Sequence, residues 1–199
     1  MTNPLGQLRT RLLLPLGLIA ALVPAPASAQ PSADGSTASA EPVRAERDGS
    51  RDFDFEFGEW KARIRRLEQP LTGTDSWVEY EGTSIVRKVW NGKANLGELL
   101  VEGPAGRIEG MSLRLYDPAN DKWMIHWASS RDGAIGPAMI GGFENGIGEF
   151  YNQELFNGQA VYVRFIFSDI TSTSFRLEQA FSADGGKTWE PNWIATFEK

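Results

Sequence analysis

An all-β fold, an antiparallel up-and-down barrel of about ten strands, is what this sequence predicts. Three observations predict it. Short runs of alternating apolar and polar residues recur from Phe53 onward, the period of half-buried strands. Turn signals separate these runs at a spacing of roughly 10–12 residues. All 22 aromatic residues fall between Phe53 and Phe197, so the material for one core lies in residues 53–199.

The first element lies outside that core. Arg9 and Arg11 give a positive start, Leu12 to Val23 an apolar run, and Ala27-Ser28-Ala29 a small-residue cleavage site. Together they predict a secretory signal peptide over residues 1–29, with Gln30 as the mature N-terminus. The apolar run is shorter than the ~20 residues a spanning helix needs. No cysteine follows it for lipid attachment, and Thr10 separates the two arginines, so there is no twin-arginine pair. The expected product is exported, periplasmic or extracellular, with no membrane span in the mature protein.

Residues 30–52 are rich in Ala, Ser, Gly, Pro and charge, with no aromatic and a single valine. Such a segment buries too little apolar surface to offset its ordering entropy. It reads as a disordered tail, and the domain as residues 53–199. Cleavage removes two arginines and no acid, leaving 18 basic and 26 acidic side chains and a net charge of −8. That balance disfavours nucleic acid and anionic lipid as partners. With no cysteine and one histidine, disulfides, thiolate catalysis, cysteine-ligated zinc and multi-histidine metal sites are excluded.

The strands follow in order. Met111, Leu113 and Leu115 alternate with Ser112, Arg114 and Tyr116. Trp123, Ile125 and Trp127 alternate with Met124 and His126. Val161, Val163, Phe165 and Phe167 alternate with Tyr162, Arg164 and Ile166. Phe175, Leu177, Gln179 and Phe181 alternate with Arg176, Glu178 and Ala180. Between such runs lie Asp117-Pro118-Ala119-Asn120-Asp121, Asn145-Gly146, Asn157-Gly158 and Asp184-Gly185-Gly186. Asn-Gly steps accept positive φ cheaply and favour tight hairpins. Closing the meander removes exposed edges and leaves room inside for one small ligand.

Three stretches carry a family resemblance: Phe53-Asp54-Phe55-Glu56-Phe57-Gly58-Glu59-Trp60, then Leu113 to Pro118 with Trp123, and Glu178 to Trp193. Together they resemble an uncharacterised bacterial domain-of-unknown-function family with a calycin (lipocalin-like) β-barrel. The resemblance covers nearly all of residues 53–199 and implies a calycin-like fold without an activity. Gly58-x-Trp60 is also similar to the lipocalin G-x-W signature. That likeness implies that Trp60 plugs one barrel end and that Lys199 covers it by a cation–π contact.

Other motifs are weighed on their mechanics. Ser182-x-Asp184-x-Gly186-x-x-Trp189 matches an Asp-box, in which the carboxylate accepts turn N–H bonds and glycine takes positive φ. A single copy reads as a structural hairpin. The glycine-rich stretch Gly133–Gly148 lacks the spacing of a nucleotide loop and reads as kinked strand with close backbone approach. His126 has two functional readings, haem ligand or acid/base, beside that of an ordinary strand histidine. The carboxylate pairs Glu79 with Glu81, Glu98 with Glu102, and Glu178 with Asp184 could serve acid–base chemistry or a solvated face. Arg164 and Glu178 sit mid-strand on consecutive runs. They form either a surface salt bridge or, facing inward, polar anchors for a ligand. Arg114, Tyr151, Gln179 and Asn192 share that ambiguity.

The expected function is binding of a small apolar or amphipathic molecule inside the barrel, with no metal and no cofactor, haem being the one exception worth keeping. The alternatives are a cofactor-free hydrolase, isomerase or cyclase using polar cavity residues, and a structural or partner-binding barrel with a filled interior. The oligomeric state is not legible.

Overall fold

The computed structural model describes residues 48–199. The expected signal peptide, and the tail up to Arg47, lie outside the described residues. Ten antiparallel strands form one closed barrel: β1 Gly58–Leu67, β2 Trp77–Val89, β3 Ala94–Gly103, β4 Gly106–Asp117, β5 Lys122–Ser129, β6 Met139–Glu144, β7 Ile147–Phe156, β8 Gln159–Ser168, β9 Ser174–Ser182 and β10 Glu190–Glu198. Every neighbour in the barrel is also a neighbour in sequence, apart from the closing pair of β1 with β10. The expected up-and-down barrel is what the chain forms.

Local chemistry sets the turns. Asn145 and Gly146 both take positive φ, at 51° and 80°, and Asn157 and Gly158 repeat this at 51° and 80°. These are the paired left-handed residues of a type I′ hairpin, whose twist matches the flanking strands. At the β9–β10 turn, Asp184 accepts the Lys187 and Thr188 amides, each at 3.0 Å, and the Thr188 hydroxyl at 2.7 Å. Those bonds hold its carboxyl below the ordinary range. Gly186 takes φ 87°, and Trp189 lies beside it. The Asp-box is a structural hairpin.

The two barrel ends differ. At the end where β1 begins, called here the lower end, two 3₁₀ turns, Gly49–Arg51 and Asp54–Glu56, cross the opening. Phe53 between them is fully buried. Its ring lies 5.0 Å from both Trp123 and Phe143, and 5.3 Å from Phe167. Burying such a ring is worth ~1.5–3 kcal/mol, and edge-to-face pairs add to it. Trp60 packs on Phe175 at 4.9 Å and donates its indole N–H to the Glu56 carbonyl at 2.6 Å. Lys199 Nζ lies 4.5 Å over the Trp60 ring. The plug and its covering cation stand where the G-x-W likeness implies, and Gly58 takes φ 115° at the entrance to β1.

One boundary moves. Asp48–Asp52 lack apolar side chains, so composition assigns them to the tail. Their backbone docks instead: Gly49 is buried and its carbonyl accepts the Trp123 indole N–H at 2.9 Å. The packed chain therefore starts before Phe53.

The wall is uneven. Nine residue pairs join β2 to β3 and nine join β7 to β8, but only three join β5 to β6, from Trp123↔Gly141 to Ile125↔Met139. Above them residues 130–138 loop over the upper end. A single bridge Ala128↔Ile135, and the Gly136 amide on the Trp127 carbonyl at 2.8 Å, hold that loop to β5. Gly141, within the glycine-rich stretch, sits so close to β7 that a Cβ there would run into the Glu149 carbonyl.

Candidate functional site

Strand parity decides what faces the interior. On β1 the buried Trp60, Ala62 and Ile64 point inward, which sends Arg66 inward as well. On β8 the inward set is Val161, Val163, Phe165 and Phe167, so Arg164 points out. On β9 Leu177 and Gln179 line the interior, so Arg176 and Glu178 do not. The aromatic plug fills the lower half. Above it lies a cavity of about 470 Å³, open at the upper end. A more open depression of about 660 Å³ runs along the outside of β6 and β7, past Ile140, Ile147 and Tyr151. The interior cavity is the better site, because barrel walls bound it on opposite sides and apolar side chains supply much of its lining.

Ile108, Ile125, Met139, Val163, Phe165, Leu177 and Trp193 supply most of that apolar wall. Ser84, Ser112, Arg114, Asn152 and Gln179 supply its polar points. Gly110 leaves room for the Trp127 indole, since a Cβ at that position would collide with the ring. Trp127 thereby lies over the inner wall near the mouth.

The floor is a buried ion pair. Arg114 Nη1 lies 2.7 Å from Glu56 Oε2 and donates to Asn95 Oδ1 at 2.9 Å. Its guanidinium stacks over Phe53 at 5.0 Å. All three polar partners are almost fully buried. Burial pushes the Glu56 carboxyl up and the Arg114 guanidinium down, and each partner opposes the shift of the other. The pair ties the plug to β4, since Glu56 belongs to the N-terminal turn. Arg114 also lines the cavity. Gln179 donates to Asn192 at 2.7 Å, and Asn192 is buried because an irregularity in β10 between Pro191 and Trp193 turns it inward. So Arg114 and Gln179 both line the cavity, and Asn192 is bonded to Gln179.

The other sequence candidates do not reach it. Arg164 pairs across strands with Tyr151 and Ala180, not Glu178, and its guanidinium lies 4.5 Å over the Trp189 ring outside the barrel. Glu178 pairs with Arg176 at 2.6 Å on the same strand. Tyr151 is exposed and donates to Glu149 at 2.8 Å. Desolvation, and then that carboxylate, push its phenol up. His126 also faces outward, its Nδ1 3.1 Å from the Gly136 carbonyl in the loop. All four lie on the outward phase of their strand; Arg114, also opposite an apolar row (Met111, Leu113 and Leu115), is on the inward one. The carboxylate pairs are likewise external. Arg63 serves Glu81, at 3.4 Å, and Arg87 pairs with Glu98. Among the described residues, no group of three or more His, Asp or Glu gathers as a metal site.

Three sets of residues went unmarked by the sequence: Glu56 and Asn95 at the floor, Arg66 and Glu154 near the mouth, and the Trp127 and Trp193 indoles. Parity carried the signal for the mouth pair, because Arg66 shares the phase of Trp60 and Glu154 that of Phe150.

No protein-family model matches this chain, and no curated protein matches it. Among solved structures it is similar to designed barrels. One is a redesigned β-barrel, mFAP1, bound to DFHBI, with 8% identity, 77% of this chain and 100% of that chain covered, and a TM-score of 0.42. Another is a fluorescence-activating β-barrel designed de novo, with 12% identity, 77% and 99% covered, and a TM-score of 0.41.

Proposed function

We propose that this is an exported calycin-like binding protein that holds one small apolar or amphipathic molecule in the upper half of its barrel. The observation that carries the reading is the 470 Å³ cavity, its wall mostly apolar above a charged floor, with polar groups at a few points. That size lies within the ~300–1,000 Å³ of ordinary ligand sites. The filled lower half suits a binding role, since it leaves one route in and a rigid floor. The one hydroxyl–carboxylate hydrogen bond among its lining residues, Ser130 on Glu109 at 3.0 Å, joins two exposed side chains, and binding accounts for the arrangement with fewer assumptions than catalysis.

Native mass spectrometry of residues 30–199, purified gently from the host, tests this. The expected result is an added mass that denaturation removes, and that Leu177→Trp, which fills the cavity, abolishes. An absorption spectrum of the same sample tests haem directly. A clean apo mass, unchanged after addition of apolar extracts, would refute the reading.

A further inference from the structure

The floor of the cavity is matched in charge but not in hydrogen bonds. Arg114 and Glu56 cancel one to one, with Nη1 2.7 Å from Glu56 Oε2. A guanidinium carries five N–H groups. Arg114 donates from Nη1 to Asn95 Oδ1 and from Nη2 to Glu56 Oε1, the latter at 3.3 Å. Its Nε is buried with no acceptor among the described residues, and so is Nδ2 of Asn95. Arg114 nonetheless lines the cavity, with its side chain only 8% exposed.

Two hydroxyls join it. Ser112 shares the inward phase of Arg114 on β4, and Ser84 comes from β2. Both residues are buried, both line the cavity, and neither hydroxyl has a hydrogen-bond partner among the described residues. Gly97, opposite Ser112 on the intervening β3, keeps a notch open beside them. A Cβ there would lie 2.7 Å from Ser112 Oγ and 3.3 Å from Arg114 Nη1.

A buried donor without an acceptor carries its full desolvation cost, which a ligand acceptor relieves. The head that fits this notch accepts hydrogen bonds and carries no charge. A carboxylate would be a second anion against one cation that Glu56 already matches. An ammonium would stand beside Arg114 with no anion to spare. The mouth adds no preference of sign, since Arg66 and Arg131 stand there with Glu154 and Asp132. Asn152 Oδ1, an acceptor buried without a partner, belongs to β7, apart from the notch that β2, β3 and β4 build.

We propose that the notch is a subsite for an uncharged oxygen acceptor: the ligand is a neutral amphiphile whose ketone, ester or amide carbonyl rests against Ser84, Ser112 and Arg114 while its apolar body rises toward the mouth. This rests on the cavity-binding reading above and adds to it the chemistry and the direction of the bound molecule.

The test uses residues 30–199 and four probes built on one ring system: 2-acetylnaphthalene, 2-ethylnaphthalene, 2-naphthoate and 1-(2-naphthyl)ethylammonium. Equilibrium dialysis gives each affinity. Water holds the ketone more strongly than the hydrocarbon, so equal or tighter binding of the ketone means that the cavity returns its hydrogen bonds. That is the expected result, with both charged probes about tenfold or more weaker than the ketone. In Ser84→Ala with Ser112→Ala the ketone should weaken about fivefold or more, and the hydrocarbon should change by about twofold or less. Neither hydroxyl has a partner to lose, so this variant should keep its fold, which circular dichroism verifies. Gly97→Ala, which fills the notch, should weaken the ketone likewise. Tighter binding of the hydrocarbon or of a charged probe overturns the polar subsite and leaves cavity binding standing. A ketone affinity that neither variant lowers overturns the assignment to this notch. Binding of none of the probes overturns both readings.

Discussion

Arg114 shows how one side chain joins the fold to the site. It is the floor of the cavity, and it is also the anchor of the plug through Glu56. Arg114→Met would leave Glu56 buried without its partner and should cost ~3–5 kcal/mol, measured by urea unfolding. Adding Glu56→Gln should recover a large part of that loss, because the stranded charge is gone. Glu154 gives a pH signature. Its native carboxyl is raised above the ordinary 4.5 by desolvation. The folded barrel therefore holds this proton more tightly than the unfolded chain, and stability from this group is lost as pH rises above 4.5. Glu154→Gln should gain on the native protein as the pH rises above 4.5 in thermal melts, and match it well below that pH. At this scale the sequence was partly legible. Arg114, Gln179 and Asn192 stand out as polar groups within apolar strands; the first two line the cavity and the third is bonded to Gln179. Arg164 and Glu178 stand out for the same reason, yet lie outside. The alternation identifies two faces without saying which is inner, and mid-strand charge is compatible with both. Glu56 was hidden because it lies in a turn, where no alternation exists.

Among the elements, β6 is the weak one. It has six residues, two of them glycines, and shares three residue pairs with β5. Few rungs and a glycine-rich backbone mean low local stability. Hydrogen exchange should find the amides of β6 and of residues 130–138 exchanging well before those of β7 and β8. Equal protection along the whole wall would contradict this. The mouth of the cavity lies along the same seam, through Gly136, Pro137 and Met139, so a bound ligand should slow exchange there most. Hairpins were the most legible elements. Asn145-Gly146 and Asn157-Gly158 impose their turns by local chemistry alone, and both appear with the expected dihedrals. The N-terminal 3₁₀ turns were the least legible. Their stability comes from docking onto Trp123 and Arg114, which a local pattern does not contain.

For the molecule as a whole, closure and plugging are one structure. β1 meets β10 over six residue pairs, and the plug that precedes β1 packs against residues from β5 through β9. Phe53→Ala should cost ~3–5 kcal/mol, in the range for large aromatic deletions, and the loss should appear as a single cooperative transition in circular dichroism. Two separate transitions would mean that the plug and the wall unfold independently.

The three-rung seam also has a use. It divides the wall into two meanders of five strands, each continuous in sequence, with residues 130–138 between them. A chain cut within that loop yields two fragments that need each other at both lateral borders. Because the mouth of the cavity straddles the cut, a split version of this protein would rebuild the cavity only on reassembly, so the binding proposed above would report the joining of its two halves.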